Sequence, residues 1–252
     1  VTADYPYSAD GARFWAPDTP FLDPFVAMAA MAAVTERIRF VTNVVKLPLR
    51  DPLLVAKQLS SLAVLSSNRV ALGIGLSWIP EEFAWTRTDM RTRGARTNEM
   101  IEILRVVCAG RGPEFVEYHG KHYDFGRLMI SPAPDRPVPL YVGGHSEPAF
   151  RRAARLGDGW ISVQSTREQL VEAVGELARY RKEYGREHDP FEVNALCVDV
   201  FDLEGFRALE DLGVTELQAV PWYYYGGDPN ELATQIDGLH RFGDEVIAAY
   251  ER

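Results

Sequence analysis

Two adjacent glycines, then a histidine and a serine, stand where a short apolar run gives way to a helix-like segment: Gly143, Gly144, His145 and Ser146. Glycine lets the backbone approach a ligand closely, and the first turn of a helix carries unpaired amides and partial positive charge. This junction therefore predicts a phosphate site, with the Ser146 hydroxyl as a further donor. Arg151 or Arg152 would add charge if turned inward. The alternative is a tight turn in which Ser146 only caps the helix.

Asn43 is a polar residue near the end of the β-branched run at 38–45. At a strand end it could bond the edge of a ligand ring, or it could satisfy local backbone groups. The stretch 73–100 combines two glycines at a strand end, tryptophans and several arginines. Flat apolar side chains beside donors suit a planar anionic ligand. The same arginines could instead form a solvated helix face on which Arg96 and Glu99 pair.

Aromatic residues follow the last predicted strand, at 222–227. They could wall a substrate pocket or plug a loop, and the sequence favours neither.

Several function classes are disfavoured. The formal net charge of -9 argues against a nucleic-acid surface. His119 and His122 lack partners at metal-ligand spacing, so we expect no metal site. No serine-hydrolase elbow and no G-x-G-x-x-G dinucleotide fingerprint is present. The two cysteines, Cys108 and Cys197, are expected to be reduced and buried, as in a cytoplasmic protein. No apolar run is long enough to span a membrane, and no secretory signal opens the sequence.

The chain must position these residues with alternating strands and helices. Six apolar runs, each followed by a helical pattern, predict a parallel sheet. The predicted strands are 38–45, 70–75, 140–143, 160–163, 192–200 and 216–220. Residues 1–20, 76–92 and 111–137 are predicted loops, the last with one or two short strands. An open doubly wound sheet is one possible closure. A (β/α)8 TIM barrel that lacks its first two strands in this chain is the favoured one, as a single domain over 1–252.

The sequence resembles the bacterial luciferase-like superfamily of flavin and deazaflavin oxidoreductases, most closely the branch that uses coenzyme F-420. Four segments carry the resemblance in order: TERIRFVTNVVKLPLRDPLLVAKQLSSLAVLSSNRVALGIGLSW, EEF, RGARTNEM and PLYVGGHSEPAFRRAARLGDGW. The resemblance implies a barrel with an isoalloxazine-like ring in its mouth. It also implies a βαβ unit upstream of residue 1, which would hold the proton donor, so no catalytic residue is assigned.

The resemblance also implies cofactor-binding positions. It places a non-prolyl cis peptide at Asn43-Val44, the phosphate site at 143–146, and the ring border or cofactor tail at Leu76, Ser77 and Trp78. Arg87, Arg91 and Arg93 are candidates for a basic groove toward the tail.

The expected function is hydride transfer to or from a small organic substrate with coenzyme F-420. An FMN-dependent, oxygen-using monooxygenase is the alternative. A non-catalytic flavin- or deazaflavin-binding protein and an unrelated phosphate-handling barrel enzyme are further alternatives. A cytoplasmic homodimer through the helices near 51–66 and 92–109 is expected from the family.

Overall fold

The computed structural model of the chain describes residues 4–5, 10–13, 15–16 and 18–250. The predicted loop at 1–20 therefore lies partly outside the described residues.

A curled parallel sheet forms the centre of the molecule. Its strands are β1 (Phe40–Val41), β2 (Val45–Lys46), β3 (Val70–Gly75), β6 (Leu140–Gly143), β7 (Gly159–Ile161), β8 (Glu192–Ala195) and β9 (Glu216–Leu217). The strand order is β1-β3-β6-β7-β8-β9, and β2 also pairs with β3. Every pairing in this sheet is parallel. The arrangement is that of an incomplete TIM barrel, as predicted.

The strand predictions are confirmed in place but not always in length. The strands β3 and β6 have the predicted bounds. The predicted strand at 38–45 is divided into β1 and β2, and the Asn43-Val44 peptide bond between them is cis. The predicted strands at 192–200 and 216–220 are shorter, since each chain leaves the sheet after a few paired residues.

Helices follow the strands and cover the outer face of the sheet. They are α1 (Pro24–Ala33), α2 (Pro52–Leu65), α3 (Pro80–Trp85), α4 (Arg93–Val107), α5 (Glu147–Leu156), α6 (Arg167–Glu183), α7 (Leu203–Leu212), α8 (Leu232–Phe242) and α9 (Ala248–Tyr250). Asp51 caps α2 through the amides of Leu53 and Leu54, and Pro52 occupies its first turn. Helix α3 lies inside the predicted loop 76–92, so that loop prediction was wrong over six residues.

Two clusters of apolar side chains divide the core. The larger lies between the sheet and its helices and includes Leu59, Ile101, Ala153 and Trp160. The smaller lies inside the curl of the sheet: Ala71, Tyr141 and Ile161, packed against Val41 and Val44. Successive residues of a strand face opposite sides, so the smaller cluster identifies the side chains that point into the barrel.

A charged cluster closes the amino-terminal end of the barrel. Arg39, just before β1, binds Glu216 at 2.7 Å and Glu192 at 3.5 Å. The hydroxyl of Tyr141 donates to the Glu192 carboxylate at 2.7 Å. Burial and this carboxylate raise the pKa of Tyr141. The first and last described strands are therefore joined through side chains at this end.

A β-hairpin departs from the strand–helix alternation between α4 and β6. Its strands are β4 (Phe115–His119) and β5 (Asp124–Met129). The Glu99 carboxylate of α4 accepts the amides of Lys121, His122 and Tyr123 at the hairpin turn, at 2.8–3.0 Å. The predicted pairing of Arg96 with Glu99 is therefore wrong, and Arg96 instead donates to the Pro48 carbonyl.

The last helix differs from its prediction. The spacing of Leu232, Ile236, Leu239 and Val246 predicts that all four lie on one face of a final helix. Val246 lies beyond α8, in a π-helical turn at 243–247. The other three side chains are exposed.

Candidate cofactor site

The junction between β6 and α5 lies at the carboxyl edge of the parallel sheet. Gly143 ends β6, and Gly144 follows with φ of 113°, which an L side chain rarely adopts. Ser146 is the N-cap residue of α5, yet its hydroxyl makes no capping hydrogen bond. Ser146 therefore stands at the N-cap position, as the alternative interpretation has it, but its hydroxyl makes no capping bond and remains available.

Four successive amides at this junction are also available. Within the described part of the chain, the N–H groups of residues 144–147 donate to no protein acceptor. The next two amide donors, Ala149 and Phe150, are bonded to the Ser146 carbonyl. Residues 145–147 are exposed to solvent. A turn of free amides at a helix N-terminus, with one hydroxyl, is a donor set that fits a phosphate group.

Two side chains fix this loop from outside. The indole nitrogen of Trp160 donates to the Gly144 carbonyl at 2.8 Å. The Nε2 atom of His145 accepts the Val163 amide at 3.1 Å. The ring of His145 packs edge-on against Trp160, with centroids 5.3 Å apart. His145, predicted to bind cofactor, can thus offer its backbone amide, while its imidazole joins two loops. Loss of solvent around the ring lowers the pKa of His145.

The arginines of α5 do not reach this loop. Arg151 pairs with Glu147 at 2.9 Å and Glu183 at 2.7 Å. Arg152 is buried against α4, where it donates to Asn98 at 2.7 Å. Burial lowers the pKa of Arg152 to about 10. Any anion at this site is therefore bound by amides and a hydroxyl rather than by these guanidinium groups.

A cavity of about 390 Å³ lies on one side of the loop, between α5 and α6. Its lining includes Glu172 and Glu176, so it presents negative charge toward solvent. An anionic ligand is disfavoured on that side. Gly143, at the base of the loop, adjoins Val44.

Glycines make room for the segment 42–44 inside the barrel mouth. A Cβ atom on Gly73 would lie 1.8 Å from the Thr42 carbonyl oxygen. A Cβ atom on Gly75 would lie 2.4 Å from Val44, and one on Gly143 would lie 3.2 Å from it. The Thr42 hydroxyl also bonds the carbonyl and the amide of Gly73. The structure thus brings Val44 and the β6–α5 loop together, as the cofactor prediction requires.

The Asn43-Val44 peptide bond is cis, as the resemblance implies. The side-chain amide of Asn43 donates to the side-chain oxygen Oε1 of Gln218 at 2.6 Å. Gln218 follows β9 and was missed in the sequence. The available signal was the alternation of polar and apolar residues at 216–218, which puts the side chain of Gln218 on the opposite face from Leu217.

The predicted residues after β3 line another part of the rim. Ser77 has φ of 62° and donates to Glu82 at 2.6 Å. The second carboxylate oxygen of Glu82 accepts from Lys46, at the end of β2. Lys46 and Glu82 were not predicted as site residues. Leu76 lies 4.0 Å from a Cβ atom placed on Gly94.

Trp78 lies at the same rim, beneath a guanidinium group and beside an aromatic ring. The guanidinium carbon of Arg13 is 5.6 Å from the ring centroid of Trp78, and the ring of Tyr5 is 6.1 Å away. Among the described residues no hydrogen bond or ring contact joins Trp78 to the β6–α5 loop, so its predicted contact with cofactor stays a prediction.

Of the three arginines predicted to form a basic groove, two are already bonded within the protein. Arg91 binds Asp89 at 3.0 Å, and Arg93 donates to the Met90 carbonyl. Arg87 is exposed and left-handed, with φ of 54°. It lines an open cavity of about 470 Å³ together with Arg96.

The aromatic segment after β9 packs largely outward. Tyr224 contacts Phe201 at 5.3 Å and Phe242 at 5.9 Å between ring centroids. Among the described residues no cluster of His, Cys, Asp or Glu side chains could hold a metal ion. In the same residues no helix is both long and apolar enough to cross a membrane.

Comparison with known proteins identifies the family. The family described as luciferase-like monooxygenase matches residues 12–198. The chain is 42% identical over 247 residues to the uncharacterized protein Rv0940c of Mycobacterium tuberculosis, covering 97% of this chain and 84% of that protein. It is 35% identical over 148 residues to an F-420-dependent glucose-6-phosphate dehydrogenase of Beutenbergia cavernae, covering 57% of this chain and 43% of that one.

Among solved structures, the coenzyme F-420-dependent tetrahydromethanopterin reductase of Methanopyrus kandleri has a TM-score of 0.69, with 15% identity. The match covers 91% of this chain and 88% of the reductase, and at this identity it shows the fold alone. The family match extends over well more than half of the sequence and contains the strand, cis bond and glycine loop described above. The chain belongs to the luciferase-like monooxygenase family.

Proposed function

We propose that this protein is an oxidoreductase that uses coenzyme F-420 to transfer hydride to or from a small organic substrate. The observation that carries the proposal is the row of free amides at 144–147, which follows directly on Gly143 where that residue adjoins Val44. One comparison favours the deazaflavin. The Beutenbergia relative, which is 35% identical over 148 residues, is F-420-dependent.

In this proposal the chain contributes binding, orientation and exclusion of water. The amides of residues 144–147 and the Ser146 hydroxyl hold the cofactor phosphate. Val44, supported by the glycines of β3 and β6, forms an apolar surface for one face of the ring. The ring supplies the hydride chemistry when it is bound. Leu76, Ser77 and Trp78 border the ring or its tail.

Titration of the purified protein with coenzyme F-420 tests this function, since binding changes the fluorescence of the deazaflavin. We expect saturable binding, weakened at least 100-fold in a Gly144→Ala variant. Absence of binding at concentrations well above those of free cofactor in cells would refute the proposal.

FMN-dependent monooxygenation is the second candidate, and the description of the family as monooxygenases favours it. The free amides fit either phosphate. Parallel titration with FMN distinguishes the two cofactors, and oxygen uptake with reduced FMN identifies a monooxygenase. A protein that binds coenzyme F-420 or FMN but oxidises neither in its reduced form would be a non-catalytic binding protein. Binding of sugar phosphates alone would indicate an unrelated barrel enzyme.

We also propose a homodimer in the cytoplasm. Leu54 and Leu65 on α2 are exposed, at 56% and 66% of their surface, and Val106 on α4 is 38% exposed. These side chains form apolar surface on the two helices expected at the interface. Light scattering should give twice the chain mass, and a Leu54→Glu, Leu65→Glu double variant should give the monomer.

A further inference from the structure

Two side-chain amide nitrogens near the barrel mouth have no hydrogen-bond acceptor among the described residues. They are Nδ2 of Asn194, in β8, and Nε2 of Gln218, just after β9. Both nitrogen atoms are buried, and Asn194 as a residue is only 1% exposed. Buried donors are normally paired, so two orphan donors of the same kind on neighbouring strands need an explanation.

Both side chains point into the barrel. Val193 and Ala195, on either side of Asn194, belong to the outer core, so Asn194 faces inward. Its registered partner on β7 is Ile161, which belongs to the inner cluster. On the other side Asn194 is registered with Glu216, two residues before Gln218. The two amides are therefore diagonal neighbours on the same face.

The orientation of the Gln218 amide is fixed by its other end. Its carbonyl oxygen accepts the Asn43 side chain at 2.6 Å, beside the cis bond. Its amide nitrogen must therefore be the free end of the group. Neither orphan donor helps the folded chain, because a buried donor without an acceptor destabilises it. An apolar side chain would suit the Asn194 position better, since Ile161 and Val44 belong to the inner cluster.

We propose that Asn194 and Gln218 form a donor pair that binds a carbonyl-type oxygen of the ligand in the barrel mouth. The inference rests on the proposed function. A carbonyl oxygen has two lone pairs and can accept from both amides. Two sources share this chemistry: a pyrimidinedione carbonyl of the cofactor ring, and the carbonyl oxygen of a substrate. A ligand group that only donates, such as an ammonium, does not fit.

Two variants test the pair without the same risk to folding. Gln218→Glu keeps an oxygen for the Asn43 amide and removes the free donor. Asn194→Leu removes both polar atoms at similar volume. Gln58→Leu is the matched control, because Oε1 of Gln58 is also buried without a partner in the described part of the chain, but Gln58 lies on α2.

The measurements have two binding arms and one stability arm. The first arm is the dissociation constant of coenzyme F-420, and of FMN, by fluorescence. The second is the dissociation constant of cyclohex-2-enone, measured by NMR titration on the cofactor-loaded protein. Cyclohexene, which lacks the carbonyl oxygen, is the control ligand. The third is the thermal midpoint of each variant without ligand.

We expect each variant to weaken binding roughly tenfold in one arm, the loss typical of one hydrogen bond of about 1.4 kcal/mol. Loss in the first arm assigns the ring carbonyl, and loss in the second assigns the substrate carbonyl. Asn194→Leu should leave the thermal midpoint equal or raised, which a purely structural asparagine would not allow. Gln58→Leu should bind as the wild type in both arms.

Wild-type affinities in both arms for both variants would overturn the inference while leaving the proposed function intact. A wild-type protein that binds neither cofactor would refute the proposed function and this inference with it. A lowered thermal midpoint for Asn194→Leu, with unchanged binding by Gln218→Glu, would also overturn the donor pair.

Discussion

Replacing Gly144 by alanine perturbs the amide loop at its centre. Gly144 has φ of 113°, and a Cβ atom there would lie 3.0 Å from the Cβ atom of Ala149. An alanine can relieve both the conformational strain and this contact only by rotating the backbone. That rotation changes the direction of the adjacent amides, which are the proposed phosphate donors.

The expected cost follows from the geometry. A positive φ costs an L residue roughly 1–2 kcal/mol. For a chain of this size each kcal/mol lowers the thermal midpoint by about 2–4 °C, so we expect a loss of roughly 2–8 °C. If two of the amide bonds to phosphate are lost, at about 1.5–3 kcal/mol for each charge-assisted bond, the cofactor should bind at least 100-fold more weakly.

Gly185→Ala separates the two effects. Gly185 follows α6 with φ of 67°, and a Cβ atom there would meet nothing within 4 Å. This variant should lose a similar amount of stability and bind the cofactor as the wild type does. Differential scanning fluorimetry and fluorescence titration measure both quantities on the same samples. Equal cofactor affinity for Gly144→Ala and Gly185→Ala would refute the assignment of this loop.

Three further predictions concern the frame around the site. Glu99→Gln should lower the thermal midpoint by roughly 2–12 °C, because one exposed and two partly buried amides lose a charged acceptor worth about 1–3 kcal/mol. Limited proteolysis should then cut near 120–123, and a resistant hairpin would contradict this. Arg39→Met should lower the free energy of unfolding by about 1 kcal/mol or less for each exposed ion pair lost. The difference in this free energy from the wild type should be smaller in 1 M salt, where the screening length is ~3 Å. A difference of the same size in high salt would contradict the ionic explanation. Burial raises the pKa of the Cys108 thiol from an ordinary value of 9.0 to about 11. The neutral thiol therefore stabilises the fold fully below pH 9, and this contribution is lost as the pH rises toward 11. Chemical denaturation between these pH values should show a steeper loss of stability for the wild type than for Cys108→Ala, and parallel curves would contradict the shift.

Regular elements with strong local signals could be predicted from the sequence. The strand β3 has its predicted bounds because an uninterrupted apolar run leaves little choice. The cis peptide at Asn43-Val44 could be predicted only through the resemblance, and the division of the strand predicted at 38–45 was not predicted at all.

The site could be predicted in its backbone but not in its side chains. The glycine loop is recognisable because glycine and a helix start have fixed physical consequences. The use of His145 to join two loops depends on Trp160 and Val163, which are distant in sequence from it. Asn194 left one signal, a polar residue inside the apolar run of β8, but the partner strand and register decide where it points.

The most direct test of the central claim is a crystal structure of the protein with coenzyme F-420 bound. The account predicts phosphate oxygens within about 3 Å of amide nitrogens in residues 144–147, with the ring lying against Val44. A phosphate bound elsewhere, for example in the acidic-walled cavity between α5 and α6 or by Arg87 and Arg96, would contradict it.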